Sequence, residues 1–191
     1  MNVGKLGVWY FLDGLSTEDS IRAAQKIESL GYGTLWLPET VGKDPLTTSS
    51  LLLSVTTKLN LATGIVNIYH REPGVMLAAQ KTLAEQSQNR FVLGMGVSHK
   101  PLVEGVRGLE YGPPVKTMRD YLSKMEASPY TGLASSEKPT TLIAALGPKM
   151  LELAAEKTDG AHPYFTSPEH TEFARKILGK DKKLCVEQKV M

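Results

Sequence analysis

The chain has 191 residues, 41% apolar and 22% charged, with 22 Lys and Arg against 20 Asp and Glu for a formal charge of +2. That balance suits a globular protein with one sizeable core, or two very small ones, and lacks the basic surplus of a nucleic-acid binder. The single cysteine, Cys185, rules out an internal disulfide, no signal-peptide core opens the chain, and no apolar run approaches the roughly 20 residues of a membrane helix. The expectation is a cytoplasmic protein with neither membrane nor nucleic acid as partner.

Leu6-Gly7-Val8-Trp9-Tyr10-Phe11 reads as a buried first strand. Ser16 with Asp19 resembles a capping box, and Ile21, Ala24, Ile27 and Leu30 form an apolar helix stripe that stops at Gly31. Thr34 to Leu37 is a second strand closed by Pro38-Glu39, and a second helix passes through Leu51, Leu52, Leu53 and Val55. Leu59 to Val66 is a third strand, followed by the polar segment from Asn67 to Glu72.

Pro73 opens a third helix with Met76, Ala79 and Leu83 on one stripe, ended by Asn89-Arg90. Phe91 to Met95 is a fourth strand. Gly96 to Pro114 has no clear period and reads as a functional loop. A helix near Val115 to Met125 and a Ser-, Gly- and Thr-rich connection lead to the stretch Thr141 to Ala155. Beyond it, Gly160 to Pro163 is a sixth strand. Ser167-Pro168 opens a helix with Phe173, Ile177 and Leu178, ended by Gly179, and Leu184 to Gln188 begins a seventh strand.

The stretch Thr141 to Ala155 carries the most chemistry. Its first half is an apolar fifth strand, and Met150, Leu151, Leu153 and Ala154 follow at helical spacing. Between them lies Gly147-Pro148, where no Ser, Thr, Asp or Asn caps the helix, so the amides of Lys149 and Met150 lack a side-chain acceptor. Open amides, the positive helix end and a lysine favour an anion such as phosphate. The alternative is an ordinary turn with water on the amides.

Apolar strands alternating with amphipathic helices define an α/β fold with a parallel sheet. Seven repeats, the last without its helix, suit a (β/α)8 TIM-barrel type cut short after the seventh strand, since a full barrel needs eight pairs and roughly 250 residues. Trp36, Leu93 and Ile143 are expected in its core.

Active sites of such barrels lie at the carboxyl ends of the strands. Tyr10, Phe11 and Asp13 follow strand one, and Glu39 follows strand two. Asn67, Tyr69, His70 and Arg71 follow strand three, and Ser98 and His99 strand four. The Gly147-Pro148-Lys149 turn follows strand five, and His162, Tyr164 and Phe165 follow strand six. Together they describe a pocket for a planar, phosphate-bearing ligand.

Each has a plainer alternative. Glu39 could cap the next helix or pair with Lys43, His70 and His99 could be solvated loop residues, and Asn67, Tyr69 and Ser98 ordinary loop hydrogen bonders. Arg71-Glu72 reads as a surface pair, and His162 as a core histidine. Gly94-x-Gly96 lacks a third phosphate-loop glycine. The histidines share no ligand spacing, so no metal is expected.

Four motifs in order resemble the luciferase-like monooxygenase superfamily, and within it the F420-dependent oxidoreductase branch. They are Leu35-Trp36-Leu37-Pro38-Glu39, Leu61 to Tyr69, Arg90 to His99, and Ala144 to Leu151. The resemblance implies one incomplete luciferase-like barrel domain over 1–191, binding coenzyme F420 or, alternatively, FMN. It puts the coenzyme phosphate at Gly147, Lys149 and Met150. A non-proline cis peptide beneath the ring falls at Gly64, Ile65 and Val66, with Asn67 and Ser98 beside it.

The implied activity is hydride transfer between coenzyme and a small-molecule organic substrate, with Glu39, His70 and His99 facing the ring and one of them handling a proton. Some deazaflavin dehydrogenases of the family carry a histidine where Glu39 stands, so that histidine's role does not carry over directly, and a carboxylate could do the work only if burial raises its pKa. A flavin monooxygenase, a non-catalytic flavin-binding protein or an inactive fragment are the alternatives, and a homodimer is left open. Because a barrel still owes a strand and closing helices, either a partner chain covers the open edge, the sheet stays open and marginally stable, or the 191-residue chain is a fragment, the favoured reading; the isolated chain is expected to bind coenzyme weakly and to self-associate.

Overall fold

The computed structural model describes residues 1–190; Met191, the last residue of the expected domain, lies outside them. The chain divides into two compact units, one of residues 1–66, 78–93 and 131–140, the other of 67–77, 94–130 and 141 onward. In chain order the elements are β1 (Gly7–Trp9), α1 (Thr17–Ser29), β2 (Thr34–Leu37), α2 (Pro45–Ser54), β3 (Asn60–Thr63) and β4 (Val66–Asn67). Then come α3 (Pro73–Gln86), β5 (Phe91–Gly96), α4 (Pro114–Ala127), β6 (Thr140–Ile143), α5 (Pro148–Lys157), β7 (Gly160–Ala161), α6 (Pro168–Leu178) and β8 (Lys183–Leu184).

The strands run in the order β1-β2-β3-β5-β6-β7-β8, with β4 beside β5. The registered pairings are parallel, as strand–helix alternation requires.

In the first unit, β1, β2 and β3 pair in sequence and Leu61 faces Phe91 of β5. The β2 residues are all buried, Trp36 included, as are Leu61, Phe91 and Leu93. Ser16 caps α1 as expected, its hydroxyl accepting from Asp19 N–H at 3.0 Å. One carboxylate organises the approach to β3: Glu28 Oε1 accepts the N–H groups of Thr57, Lys58 and Leu59 at 2.9, 2.6 and 2.8 Å. The Arg90 guanidinium meets the carbonyls of Leu59 and Leu53, both at 2.8 Å.

In the second unit, Ile143 faces Ala161, Gly160 faces Lys183, and Ala144 N–H reaches Met95 O at 2.8 Å. Ile143 is fully buried. Helices α4 and α5 are joined by the two-pronged pair Arg119–Glu156, both bonds 2.8 Å.

Six expectations change. The first strand is not buried: it keeps only Gly7–Trp9, at the end of the strand order, and Leu6, Tyr10 and Phe11 are exposed. The seventh strand is confined to Lys183–Leu184, and Glu187 makes only an isolated bridge to Tyr164. The third strand divides at Gly64–Ile65 into β3 and β4, with Gly64 N–H continuing the β2 ladder to Leu37 O and β4 pairing with β5. The second helix begins earlier, at Pro45, since Asp44 caps it by accepting from Thr47 N–H at 2.7 Å. The loop from Gly96 to Pro114 contains a π-helical turn, Pro101–Val106, pinned by buried Val103. Leu30, Leu51 and Phe173 are exposed: Leu30 lies past the last turn of α1, and α6 turns Ala174 and Leu178, not Phe173, inward.

Candidate functional site

In the first unit, the end of β2 and the break after β3 are tied through backbone. Glu39 N–H donates to Ile65 O at 3.2 Å and Gly64 N–H to Leu37 O at 2.8 Å. The Gly64–Ile65 peptide is cis, where the resemblance puts one. The Trp9 indole N–H donates to Gly64 O at 2.7 Å. Glu39 and Ile65 are half-buried, Gly64 and Val66 buried. Helix α2 takes its cap from Asp44 rather than Glu39, and Lys43 Nζ donates to Leu15 O at 2.5 Å. Asp13 serves the loop fold, its Oδ1 accepting Lys43 N–H at 2.8 Å.

In the second unit, Asn67 is buried and its Oδ1 accepts Tyr69 N–H at 3.0 Å, so its amide nitrogen is the atom 3.1 Å from His70 Nε2. This pins the short 3₁₀ turn Ile68–His70. The Tyr69 hydroxyl accepts Gly112 N–H at 2.9 Å, and its ring stacks on Tyr111 with centroids 5.5 Å apart. The Tyr111 hydroxyl donates to Ser98 O at 3.3 Å, and Ser98 holds φ 56°. Burial first, then the Tyr69 phenol, pushes the Tyr111 hydroxyl above its usual range.

His70 also lines a cleft of about 430 Å³ with Tyr69, Arg71, Asp120, Tyr121 and Lys124. Glu72 holds the start of α3, its Oε2 accepting Val75 N–H at 3.0 Å. His99 is exposed at the head of the π-helical turn, its carbonyl accepting from Leu102 and Val103.

The turn into α5 is as open as its sequence implies. Gly147 is the N-cap residue with no side-chain bond, and a Cβ built there meets nothing within 4 Å. Among the described residues the N–H groups of Gly147 and Lys149 have no partner. Met150 N–H differs, donating to Gly147 O at 3.2 Å beside Leu151 N–H at 3.1 Å. Lys149 is exposed and Met150 buried. His170 of α6 braces the turn, its Nε2 lying 2.8 Å from Leu146 O. A carbonyl only accepts, so Nε2 carries the proton. Two outward N–H groups beside a lysine, with nothing filling the approach, fit a phosphate.

His162 is a core histidine, 4% exposed, with Nδ1 2.7 Å from Cys185 O. Tyr164 and Phe165 are exposed neighbours, ring centroids 6.4 Å apart, with Lys189 Nζ 5.3 Å from the Phe165 centroid.

Thus Glu39 is joined to Ile65, Asn67 to His70, and Ser98 to Tyr111. Sequence reasoning passed over Trp9, Tyr111 and His170. An indole in the first strand and a tyrosine among loop glycines were visible signals; nothing local marked His170, whose partner is 24 positions away.

Parallel strands alternating with helices make this a barrel-type α/β fold. The family model described as luciferase-like monooxygenase matches residues 8–178, and the chain belongs to that family. A Mycobacterium tuberculosis relative, assigned as a coenzyme F420-dependent oxidoreductase, is 29% identical over 86% of this chain and 55% of its own. This chain therefore spans about half the length of that relative.

Among solved structures, an F420-dependent secondary alcohol dehydrogenase in complex with an F420-acetone adduct superposes with TM-score 0.79 at 16% identity, over 97% of this chain and 68% of that one. The oxygenating constituent of 3,6-diketocamphane monooxygenase from Pseudomonas putida, in complex with FMN, gives TM-score 0.71 at 15% identity, over 91% and 61%. The fold is that of the luciferase-like β/α barrels. No helix among the described residues is long and apolar enough to cross a membrane.

Proposed function

We propose that this chain is the coenzyme-binding part of an oxidoreductase that moves a hydride between F420 and a small organic molecule. The observation that carries the reading is the uncapped start of α5, with unpartnered N–H groups at Gly147 and Lys149 and open space before them. The name of the M. tuberculosis relative favours the deazaflavin over FMN.

When bound, the coenzyme supplies the hydride chemistry. In the second unit, the open N–H groups of Gly147 and Lys149 hold the phosphate, while Asn67 and Ser98 hold the ring's surroundings. His70, fixed by Asn67, and His99 are the proton-handling candidates there, His70 first. FMN with monooxygenase chemistry is the second reading, supported by the FMN complex among the structural neighbours.

Titrating the purified chain separately with F420 and FMN tests the proposal. Saturable binding of F420, tighter than FMN, is expected. Tighter FMN binding would favour the second reading, and binding of neither would overturn both.

A further inference from the structure

Helix α4 turns Thr117, Asp120, Tyr121 and Lys124 to one side, the spacing of a single helical face. With the run from Ile68 to Pro73 they line the cleft of about 430 Å³, a size that suits a small organic ligand. Ile68 and Tyr121, both buried, give it apolar surface. Its polar groups are not equally engaged. The Tyr121 hydroxyl donates to Arg71 O at 2.8 Å, and that of Thr117 to Pro113 O at 2.9 Å. Both carboxylates are engaged as well: Asp120 Oδ2 accepts from Lys116 Nζ at 2.5 Å, and Glu72 Oε2 from Val75 N–H at 3.0 Å.

Two donors are left. A phenol has one proton to donate and lone pairs with which to accept. The Tyr69 oxygen accepts Gly112 N–H at 2.9 Å, while its own proton has no acceptor among the described residues. Stacking on Tyr111, with centroids 5.5 Å apart, and the bond from Tyr69 N–H to Asn67 Oδ1 hold the ring in place. A Cβ on Gly112 would lie 2.7 Å from Thr117 Oγ1 and 3.8 Å from the Tyr69 hydroxyl, so that hydroxyl reaches the first turn of α4, where Thr117 lines the cleft. The N–H on its oxygen also polarises the O–H and makes it a stronger donor. The Lys124 ammonium makes no hydrogen bond or ion pair among the described residues, and acts on Asp120, one turn back, only at a distance. Around the cleft three cations, Arg71, Lys116 and Lys124, stand against two carboxylates.

We infer that this cleft is a binding site for a small organic carboxylate, whose anionic oxygens take the Tyr69 O–H and face the Lys124 ammonium while its apolar body rests against Ile68 and Tyr121. Open donors beside carboxylates that are already engaged suit an anion, and a charged acceptor makes the stronger hydrogen bond. Reading the occupant as the substrate rests on the proposed function, which puts His70 on the same cleft; the binding itself does not.

The test titrates the full chain, without coenzyme, with benzoate, acetate and benzamide by calorimetry. Saturable binding of benzoate is expected, with acetate, which lacks the apolar body, and benzamide, which lacks the charge, each about tenfold weaker or more. Tyr69→Phe keeps the ring and removes the proton, and is expected to weaken benzoate about tenfold. Lys124→Gln removes the charge, and is expected to weaken benzoate about tenfold and benzamide hardly at all. Absence of saturable benzoate binding would overturn the inference. So would acetate or benzamide bound as tightly as benzoate, or unchanged benzoate affinity in either variant. If Tyr69→Phe does not fold, Lys124→Gln decides, since Lys124 is exposed on α4. Failure of F420 and FMN to bind would overturn the proposed function and leave the benzoate result standing.

Discussion

His162 Nδ1 lies 2.7 Å from the carbonyl oxygen of Cys185, joining β7's end to the segment after β8 across 23 positions of sequence. The carbonyl can only accept, so Nδ1 bears the proton and the ring is held neutral in a buried site. Burial lowers the His162 pKa to about 4 from 6.5, against the smaller opposing pull of the Cys185 carbonyl. The unfolded chain takes up its proton near 6.5, the folded chain only near 4. The stabilisation is therefore complete above pH 6.5 and is lost as pH falls toward 4, by about 3 kcal/mol at most. Urea titrations between pH 7 and 4 are expected to show this loss, and His162→Gln to remove most of that slope.

The same burial pushes the Cys185 thiol up to about 11, with Lys183 and then Arg175 opposing more weakly. Slow modification of Cys185 by a thiol reagent at pH 8 is expected in the folded chain, and fast modification in denaturant. Equal rates would contradict the packing around β8.

Glu28 is a structural anion. Burial alone would raise its pKa, but the N–H groups of Lys58, Leu59 and Thr57, with Arg90 nearby, bring it below the ordinary carboxylate value. Its contribution is present above the unfolded value near 4.5 and is lost as pH falls below that. Glu28→Ala leaves three N–H groups without their acceptor and is expected to cost about 1–3 kcal/mol in chemical denaturation. Glu28→Gln, which keeps one oxygen, is expected to cost less.

Gly160 holds φ 153° in β7, and a Cβ there would lie 1.9 Å from Lys183 O. Neither the backbone angle nor the paired strand admits a side chain. Gly160→Ala is expected to destabilise by about 3 kcal/mol or more, read as a large fall in Tm. A variant melting with the unaltered chain would show that β7 and β8 do not pair this closely.

Lys149→Glu places a negative charge at the open start of α5. It is expected to weaken coenzyme binding by about 1–2 kcal/mol, through lost attraction and added repulsion, with little change in Tm because Lys149 is exposed. His170→Phe removes the bond to Leu146 O while keeping a ring beside Phe173, and a smaller loss of affinity is expected. Unchanged affinity in Lys149→Glu would count against the phosphate turn.

Much of the fold was legible because its signals are local. Ser16 and Ser167 cap the helices their spacing announces, Pro148 opens α5 behind Gly147, and Gln88-Asn89 leave α3 with positive φ just where the stripe stops. Strand–helix alternation determined the parallel sheet, since each apolar run must be covered by the helix that follows. The motif order determined the family.

What tertiary structure decided are the partners. Trp9 meets Gly64 across 55 positions, Arg90 meets Leu53 across 37, and Glu28 closes on Thr57 to Leu59. None leaves a period in sequence, because a hydrogen bond between distant residues depends on how packed elements bring single atoms within 3 Å. The same reason governs His70 and His162. Sequence marks both as imidazoles, whereas the Asn67 amide beside the first and the Cys185 carbonyl beside the second are partners that only the fold supplies.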